Sequence, residues 1–195
     1  MTMKPFKLTV VALLFSAFGQ VAADYEDGLA AAQRGDYETA LQEFKDAAED
    51  GLMMAQYNLA ILYFSGRGTE QNFAEAFRWT AAAADQGHTQ AQFNLGALYY
   101  EGQGTGKNRQ TALEWYEKAG SADYAPAQYN AAEMYFRGDG IERNLVRAHA
   151  WASRALENDH EEAPALLENI EADMSAAQLS EARRLFARMK IGMDY

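Results

Sequence analysis

A spacing of 36 residues recurs through the middle of the chain and constrains its fold more than any other feature. All three tryptophans lie on this spacing, at Trp79, Trp115 and Trp151. Other positions keep one residue type at the same spacing, namely Ala55, Ala91 and Ala127; Gln56, Gln92 and Gln128; Tyr63, Tyr99 and Tyr135; Gly66, Gly102 and Gly138; Gly68, Gly104 and Gly140; and Asn72, Asn108 and Asn144. Because self-similarity at a fixed period is the signature of repeat architectures, we expect three tandem copies of one supersecondary unit.

Each copy is predicted to form two α-helices joined by a glycine-rich loop. In the first copy, apolar residues at helical spacing predict a helix over 54–65, and Gly66 provides the left-handed residue that ends it. Gly68 permits a second tight bend, and Asn72 is the expected N-cap of a second helix over 73–86. The tryptophan of each copy is expected to be buried by that second helix. No segment alternates with a period of two, so we expect almost no β-strand.

Shorter units flank the three copies. Residues 25–50 predict a hairpin whose helices are joined directly at Gly35-Asp36-Tyr37, and residues 162–190 predict two further helices. Stacked repeats bury their faces only against neighbours, so atypical terminal units are the expected caps. We divide the chain into a signal peptide (1–23), an N-terminal capping hairpin (24–51), three repeats (52–87, 88–123 and 124–160) and C-terminal capping helices (161–195).

The repeated pattern A-x-x-x-L-x-x-L-Y-x-x-G-x-G, followed by N-x-x-x-A-x-x-W, resembles the Sel1-like repeat, a relative of the tetratricopeptide repeat. Residues 55–160 carry this resemblance, whereas the unit over 25–50 is closer to a plain tetratricopeptide hairpin. The resemblance implies an all-α fold, a right-handed α-solenoid of about five helical hairpins. It also implies an adaptor role, often in the assembly of envelope-associated complexes.

The N-terminus has the features of a secretory signal peptide. Lys4 and Lys7 precede an apolar stretch over 8–18, and small residues at Val21-Ala22-Ala23 precede Asp24. A basic segment, a short apolar segment and small residues at the cleavage site define this class of signal. The apolar stretch is too short to span a bilayer. We therefore expect cleavage after Ala23, a periplasmic or secreted protein, and no stable membrane insertion of the cleaved chain.

Charge and cysteine content narrow the classes of partner and chemistry. The net charge of −11 argues against a nucleic-acid partner, because such partners need clustered Lys and Arg. The acidity is concentrated near the ends of the chain, in residues 24–51 and 157–173. The absence of cysteine excludes disulfides, thiolate zinc sites and a cysteine nucleophile. Some Sel1-like proteins are linked to β-lactam hydrolysis, but those are rich in cysteine.

No residue pattern in the chain predicts a catalytic, cofactor-binding or metal site. The Gly66-x-Gly68 loop follows a helix and lacks the third glycine of a dinucleotide-binding loop. His88 and His160 are expected at the ends of second helices, where the helix dipole favours histidine, and His149 lies in no ligand motif. The acidic cluster over 157–162 lacks the spacing of a calcium loop. We therefore expect no enzyme activity and no cofactor.

A second stripe of large side chains on the first helices is the candidate partner-binding surface. In tetratricopeptide-like solenoids the corresponding positions line a concave groove, and aromatic side chains there provide contact area at low entropic cost. Packing between repeats would also use aromatic residues at fixed spacing, so both interpretations stay open. The candidate residues are Tyr57, Ile61 and Phe64 in the first copy, Phe93 and Tyr100 in the second, and Tyr129, Glu133 and Phe136 in the third.

The sequence therefore predicts an exported scaffold, expected to be a monomer, that binds a protein or peptide partner in the cell envelope. An envelope-polymer binding module or hydrolase, acting on peptidoglycan or polysaccharide, is the alternative. That alternative requires a closed pocket with a clustered acid–base pair, for which the sequence provides no motif.

Overall fold

A computed structural model describes residues 8–192 of the chain, with side chains from residue 20 onward. Within this range the chain forms ten α-helices and no β-strand, as the sequence predicts. None of these helices is both long enough and apolar enough to cross a membrane. Lys4 and Lys7 of the predicted signal peptide lie outside the described residues, as do the side chains of its apolar stretch over 8–18.

The helices form two compact units, and the first of them ends at Gln86. In this unit each helix packs on the next one along the chain. Beyond the predicted cleavage site, the first helix packs through Tyr25, Gly28 and Ala31, and the Phe44 ring lies against both Tyr25 and Gly28. The helices are α1 (Leu8–Gln33), α2 (Tyr37–Glu49), α3 (Met53–Ser65) and α4 (Phe73–Asp85).

The second unit begins at Gly87 and contains the remaining six helices. The four helices of the second and third repeats pack in chain order, and the last two helices both pack on α8. The buried Arg154 on α8 donates a hydrogen bond of 3.1 Å to the carbonyl oxygen of Met189 on α10. The helices are α5 (Thr89–Glu101), α6 (Arg109–Ser121), α7 (Ala125–Arg137), α8 (Leu145–Glu157), α9 (Ala163–Ala172) and α10 (Ala176–Lys190).

The predicted helix ends are confirmed in all three repeats. Asn72, Asn108 and Asn144 each cap a second helix, and each side-chain oxygen accepts a hydrogen bond from a backbone N–H of the first turn. The first helices end at glycines in the left-handed conformation, Gly66, Gly102 and Gly138. A capping box of Ser175 and Gln178 begins α10. These ends depend on local chemistry alone, so the sequence is sufficient to locate them.

The second glycine of the loop has a role that the sequence analysis did not identify. Gly68 has φ of +73°, and a Cβ atom built on it would lie 2.1 Å from the carbonyl oxygen of Tyr37 at the start of α2. Gly140 is equivalent, because its Cβ would lie 2.4 Å from Cβ of Arg109 at the start of α6. In both cases the loop of a repeat therefore lies directly against the first turn of the second helix in the preceding helical hairpin.

The expectation that all three tryptophans are core residues is wrong for Trp115. Trp79 and Trp151 are buried, with 7% and 1% of their surface exposed, whereas Trp115 is half-buried. The Lys118 ammonium lies 4.2 Å from the centroid of the Trp115 ring. The next residue, Tyr116, fills the core here, and it fits because Gly96 leaves space for its ring.

The predicted role of two histidines needs correction. His88 and His160 follow the ends of α4 and α8, as expected, and the His160 backbone N–H donates a hydrogen bond of 2.9 Å to the carbonyl oxygen of Ala155 on α8. Their rings, however, accept hydrogen bonds from the segments that follow. His88 is the N-cap of α5, where its Nδ1 accepts the Ala91 N–H at 3.1 Å, and Nδ1 of His160 accepts the Glu162 N–H at 3.3 Å. These rings therefore cap the segments after them, and do not have the predicted role of a cation at a helix C-terminus.

Candidate partner-binding surface

In the first unit, the candidate residues form a stripe along α3. This helix contains no charged residue. The side chains of Ile61 and Phe64 are 39% and 43% exposed, and Tyr57 is half-buried. The Phe64 ring packs edge-on against Phe73 of α4 at a centroid distance of 5.4 Å. We call Tyr57, Ile61 and Phe64 the α3 stripe, and it presents apolar surface to solvent.

In the second unit, the candidate aromatic residues are half-buried, and each has a defined neighbour. The Phe93 ring lies 5.6 Å from that of Tyr116 and 5.3 Å from that of Tyr124. Phe93 therefore packs α5 against its neighbours as well as forming surface. Phe136 lies under the Arg143 guanidinium, 5.3 Å from its ring centroid. These side chains combine packing with partial exposure.

Tyr129 stacks on the imidazole of His160 at 4.3 Å, with an angle of 7° between the ring planes. Burial raises the pKa of the Tyr129 hydroxyl, and the carboxylates of Glu133 and Glu162 raise it further. The hydroxyl is therefore neutral at physiological pH and donates a hydrogen bond to the side chain of Glu162.

A cleft of about 220 Å³ lies between α5 and α7 and brings two of the predicted residues, Tyr100 and Glu133, to one site. Drug-sized ligands occupy cavities of about 300–1,000 Å³, so this cleft suits a single side chain. We call it the α5–α7 cleft, and its lining residues are Ala97, Tyr100, Glu101, Tyr116, Asn130, Glu133, Met134, Arg137 and Asp139.

Asp139 organises one end of the cleft. Its carboxylate accepts a hydrogen bond of 2.5 Å from the Tyr100 hydroxyl and forms an ion pair with Arg109. The Arg109 guanidinium also lies over the Tyr100 ring, 4.2 Å from the centroid. The loop positions Asp139 between Gly138 and Gly140, both of which have positive φ. A tyrosine, a carboxylate and a guanidinium are thereby held in one arrangement.

The buried Tyr116 lines the same cleft. Burial raises the pKa of its hydroxyl to about 12, and the side chain of Asn130 is hydrogen-bonded to it. Glu133 forms an ion pair of 2.6 Å with Arg137, one helical turn further along α7. Three carboxylates and one guanidinium line the cleft, so its lining carries excess negative charge.

Sequence reasoning identified Tyr100 and Glu133 but missed the other polar residues of the cleft. Asp139 is the middle residue of a turn, and its equivalents in the other repeats are Gln103 and Arg67. A search for identity at the 36-residue spacing cannot find such a position, because its residue changes from one copy to the next. The signal that could have located Asp139 is therefore a repeat position whose residue type differs between the copies.

In the described part of the chain, no group of side chains could hold a metal ion. His149 is buried, and its ring nitrogens contact Glu171 at 2.9 Å and Ser153 at 3.3 Å. This arrangement connects α8 to α9. It does not line the α5–α7 cleft.

These observations define a class of protein: an all-helical repeat protein with apolar and aromatic surface on the first helices of its hairpins. Three consecutive segments, residues 54–88, 89–124 and 125–160, match the Sel1 repeat family. The chain therefore belongs to the Sel1 repeat family. Sel1 repeats generally form non-enzymatic scaffolds that bind protein partners.

Two of the solved structures that are similar to this chain carry Sel1-type repeats. The crystal structure of a Sel1 repeat protein from Oxalobacter formigenes has a TM-score of 0.69 and 32% sequence identity, and the match covers 73% of this chain and 59% of that one. A protective antigen of uropathogenic Escherichia coli strains, which displays an SLR fold, has a TM-score of 0.51 and 27% identity, with 89% and 46% covered. This chain thus spans about half the length of these relatives. Comparison with curated proteins gave no match.

Proposed function

We propose that this protein is an exported scaffold that binds a protein or peptide partner in the cell envelope through the first helices of its repeats. The observation that supports this most directly is the α3 stripe, where large apolar side chains are exposed on a helix without charged residues. Exposed apolar surface that is contiguous along one helix marks interaction sites more often than scattered apolar residues do.

Export is the second part of the proposal. The signal-peptide pattern of residues 1–23 supports it, and the packing of α1 permits the cleavage that it requires. Tyr25, Gly28 and Ala31 make contacts with α2 or the core of the first unit, and all three follow Ala23. Cleavage after Ala23 would therefore leave these contacts in place. Val21, which also packs against this core, would be removed. N-terminal sequencing of protein exported by a bacterial host should give Asp24 as the first residue, and a chain that retains Met1 would refute cleavage.

The binding test compares two pairs of exposed apolar residues. Ile61→Ser with Phe64→Ser removes the two exposed side chains of the α3 stripe. Leu156→Ser with Ile191→Ser changes two residues elsewhere that are 45% and 70% exposed. A crosslinking pulldown from envelope extract identifies the partner, and calorimetry then measures its affinity for each variant. Truncation of an interface hot spot commonly costs about 2 kcal/mol, roughly thirtyfold in affinity.

We expect the stripe variant to lose at least this much affinity and the control variant to bind normally. Circular dichroism must show that both variants are folded, because lost stability would otherwise imitate lost binding. Unchanged affinity of a folded stripe variant would refute the proposal. Cosedimentation of the wild type with peptidoglycan or polysaccharide, without any protein partner, would favour the polymer-binding alternative.

A further inference from the structure

The α5–α7 cleft has the size, walls and charge to receive one basic side chain. It measures about 220 Å³, and Tyr100 and the buried Tyr116 are among its lining residues. The electron-rich faces of tyrosine rings attract cations, most strongly where water is excluded. Ala97 and Met134 add apolar lining, which suits the aliphatic part of a long side chain.

The carboxylates of the cleft are not all neutralised within the chain. Glu101 is exposed and forms no ion pair or hydrogen bond with any residue that the structure describes. Among the described residues, Glu133 is ion-paired only with Arg137, whose side chain is 64% exposed. Such exposed pairs within one helix are weak, so an incoming cation can share or replace Arg137.

The protein already holds a guanidinium of its own at the edge of this cleft. Arg109 lies over the Tyr100 ring and is ion-paired with Asp139. A tyrosine ring and a carboxylate at this cleft can therefore hold a guanidinium between them. Tyr116, Glu101 and Glu133 provide the same two kinds of group for a second cation.

We infer that the α5–α7 cleft binds an arginine side chain of the partner, with Glu101 and Glu133 as its carboxylate ligands and tyrosine rings as its walls. Arginine is favoured over lysine because its planar guanidinium pairs with carboxylates through two hydrogen bonds and stacks on aromatic rings. This inference rests on the proposed function, since it specifies the chemistry of the partner that the scaffold binds.

The test uses a small probe and does not require the partner. N-acetyl-arginine amide is titrated into the isotopically labelled full chain, and amide shifts are followed by NMR. N-acetyl-citrulline amide has nearly the same shape without the charge and is the matched neutral probe. We expect saturable shifts at cleft residues for the arginine probe, with a dissociation constant on the order of millimolar for so small a ligand. The citrulline probe should bind at least about tenfold more weakly.

Two double variants with equal net charge separate the cleft from general attraction. Glu101→Gln with Glu133→Gln changes the cleft, whereas Glu168→Gln with Glu181→Gln removes the same charge from exposed positions on α9 and α10. We expect the cleft variant to weaken binding of the arginine probe by about tenfold and the control to leave it unchanged. Equal binding of both probes, no saturable shift in the cleft, or equal weakening in both variants would overturn the inference.

The two proposals can fail independently. If the partner binds through the α3 stripe and the cleft variant retains full affinity for it, the proposed function stands and the arginine inference is wrong. If the cleft binds the arginine probe as expected but the stripe variant keeps normal affinity for the partner, the proposed role of the stripe is wrong and the inference about the cleft stands.

Discussion

Replacing Gly68 with alanine should destabilise the first unit far more than the same change at Gly35. Both glycines have φ near +75°, and a non-glycine residue in this region costs about 1–2 kcal/mol. A Cβ at Gly35 meets nothing within 4 Å, whereas a Cβ at Gly68 would lie 2.1 Å from the carbonyl oxygen of Tyr37. Ordinary contact begins at 3.4 Å, so the loop must move from α2 by more than an ångström. Overpacking of this kind typically adds about 1–3 kcal/mol.

The two variants belong to the same compact unit, so their unfolding can be compared directly. Urea unfolding followed by circular dichroism at the helical band measures the difference. With a denaturant dependence of about 2 kcal/mol per molar urea, the expected gap corresponds to a midpoint roughly 0.5–1.5 M lower for Gly68→Ala. Equal midpoints would show that the loop does not press on the start of α2 and would refute the reasoning.

Three further predictions concern single side chains. Trp151→Ala should lower the free energy of unfolding by about 3–5 kcal/mol. Trp115→Ala should lower it clearly less, because of these two residues only Trp151 is fully buried; equal urea midpoints would contradict this. Asn108→Ala should lower the free energy of unfolding by about 1 kcal/mol. Asn108→Asp should leave it almost unchanged, because Asp also accepts the capping hydrogen bond, and thermal melts of both variants measure the difference. Burial lowers the pKa of His88, so the folded chain binds fewer protons than the unfolded one and its stability falls as the pH drops below about 6.5. His88→Asn keeps a cap without titrating, and it should lose less stability than the wild type between pH 7.5 and 5.

The sequence was sufficient where structure depends on local chemistry. The helix ends at Asn72 and Gly66 follow from side-chain capping and from the left-handed preference of glycine, and both recur in the later copies. The family and the helical hairpins follow from the fixed positions of the repeat. These features need no knowledge of which residues meet across helices.

The sequence was insufficient where the outcome depends on neighbours that differ between copies. Trp115 occupies the repeat position of two buried tryptophans, yet Tyr116 fills the core beside it, because Gly96 leaves room that the other copies do not. The cleft depends on Asp139, a position that is not constant between repeats. In a repeat protein the constant residues maintain the fold. Residues that define a binding site differ between the copies, so comparing the copies for constant positions does not find them.

The contact of Gly140 with the start of α6 makes the repeat depend on the hairpin before it in the chain. The loops at Gly68 and Gly140 each rest on the hairpin before them in the chain, so removing a later repeat leaves both contacts in place. Removing the hairpin that contains α6 would instead leave the Gly140 loop without its support. Shortening the protein from its two ends should therefore be unequal in effect, and a designer who wishes to change the number of repeats should cut so that each loop keeps the helix on which it rests.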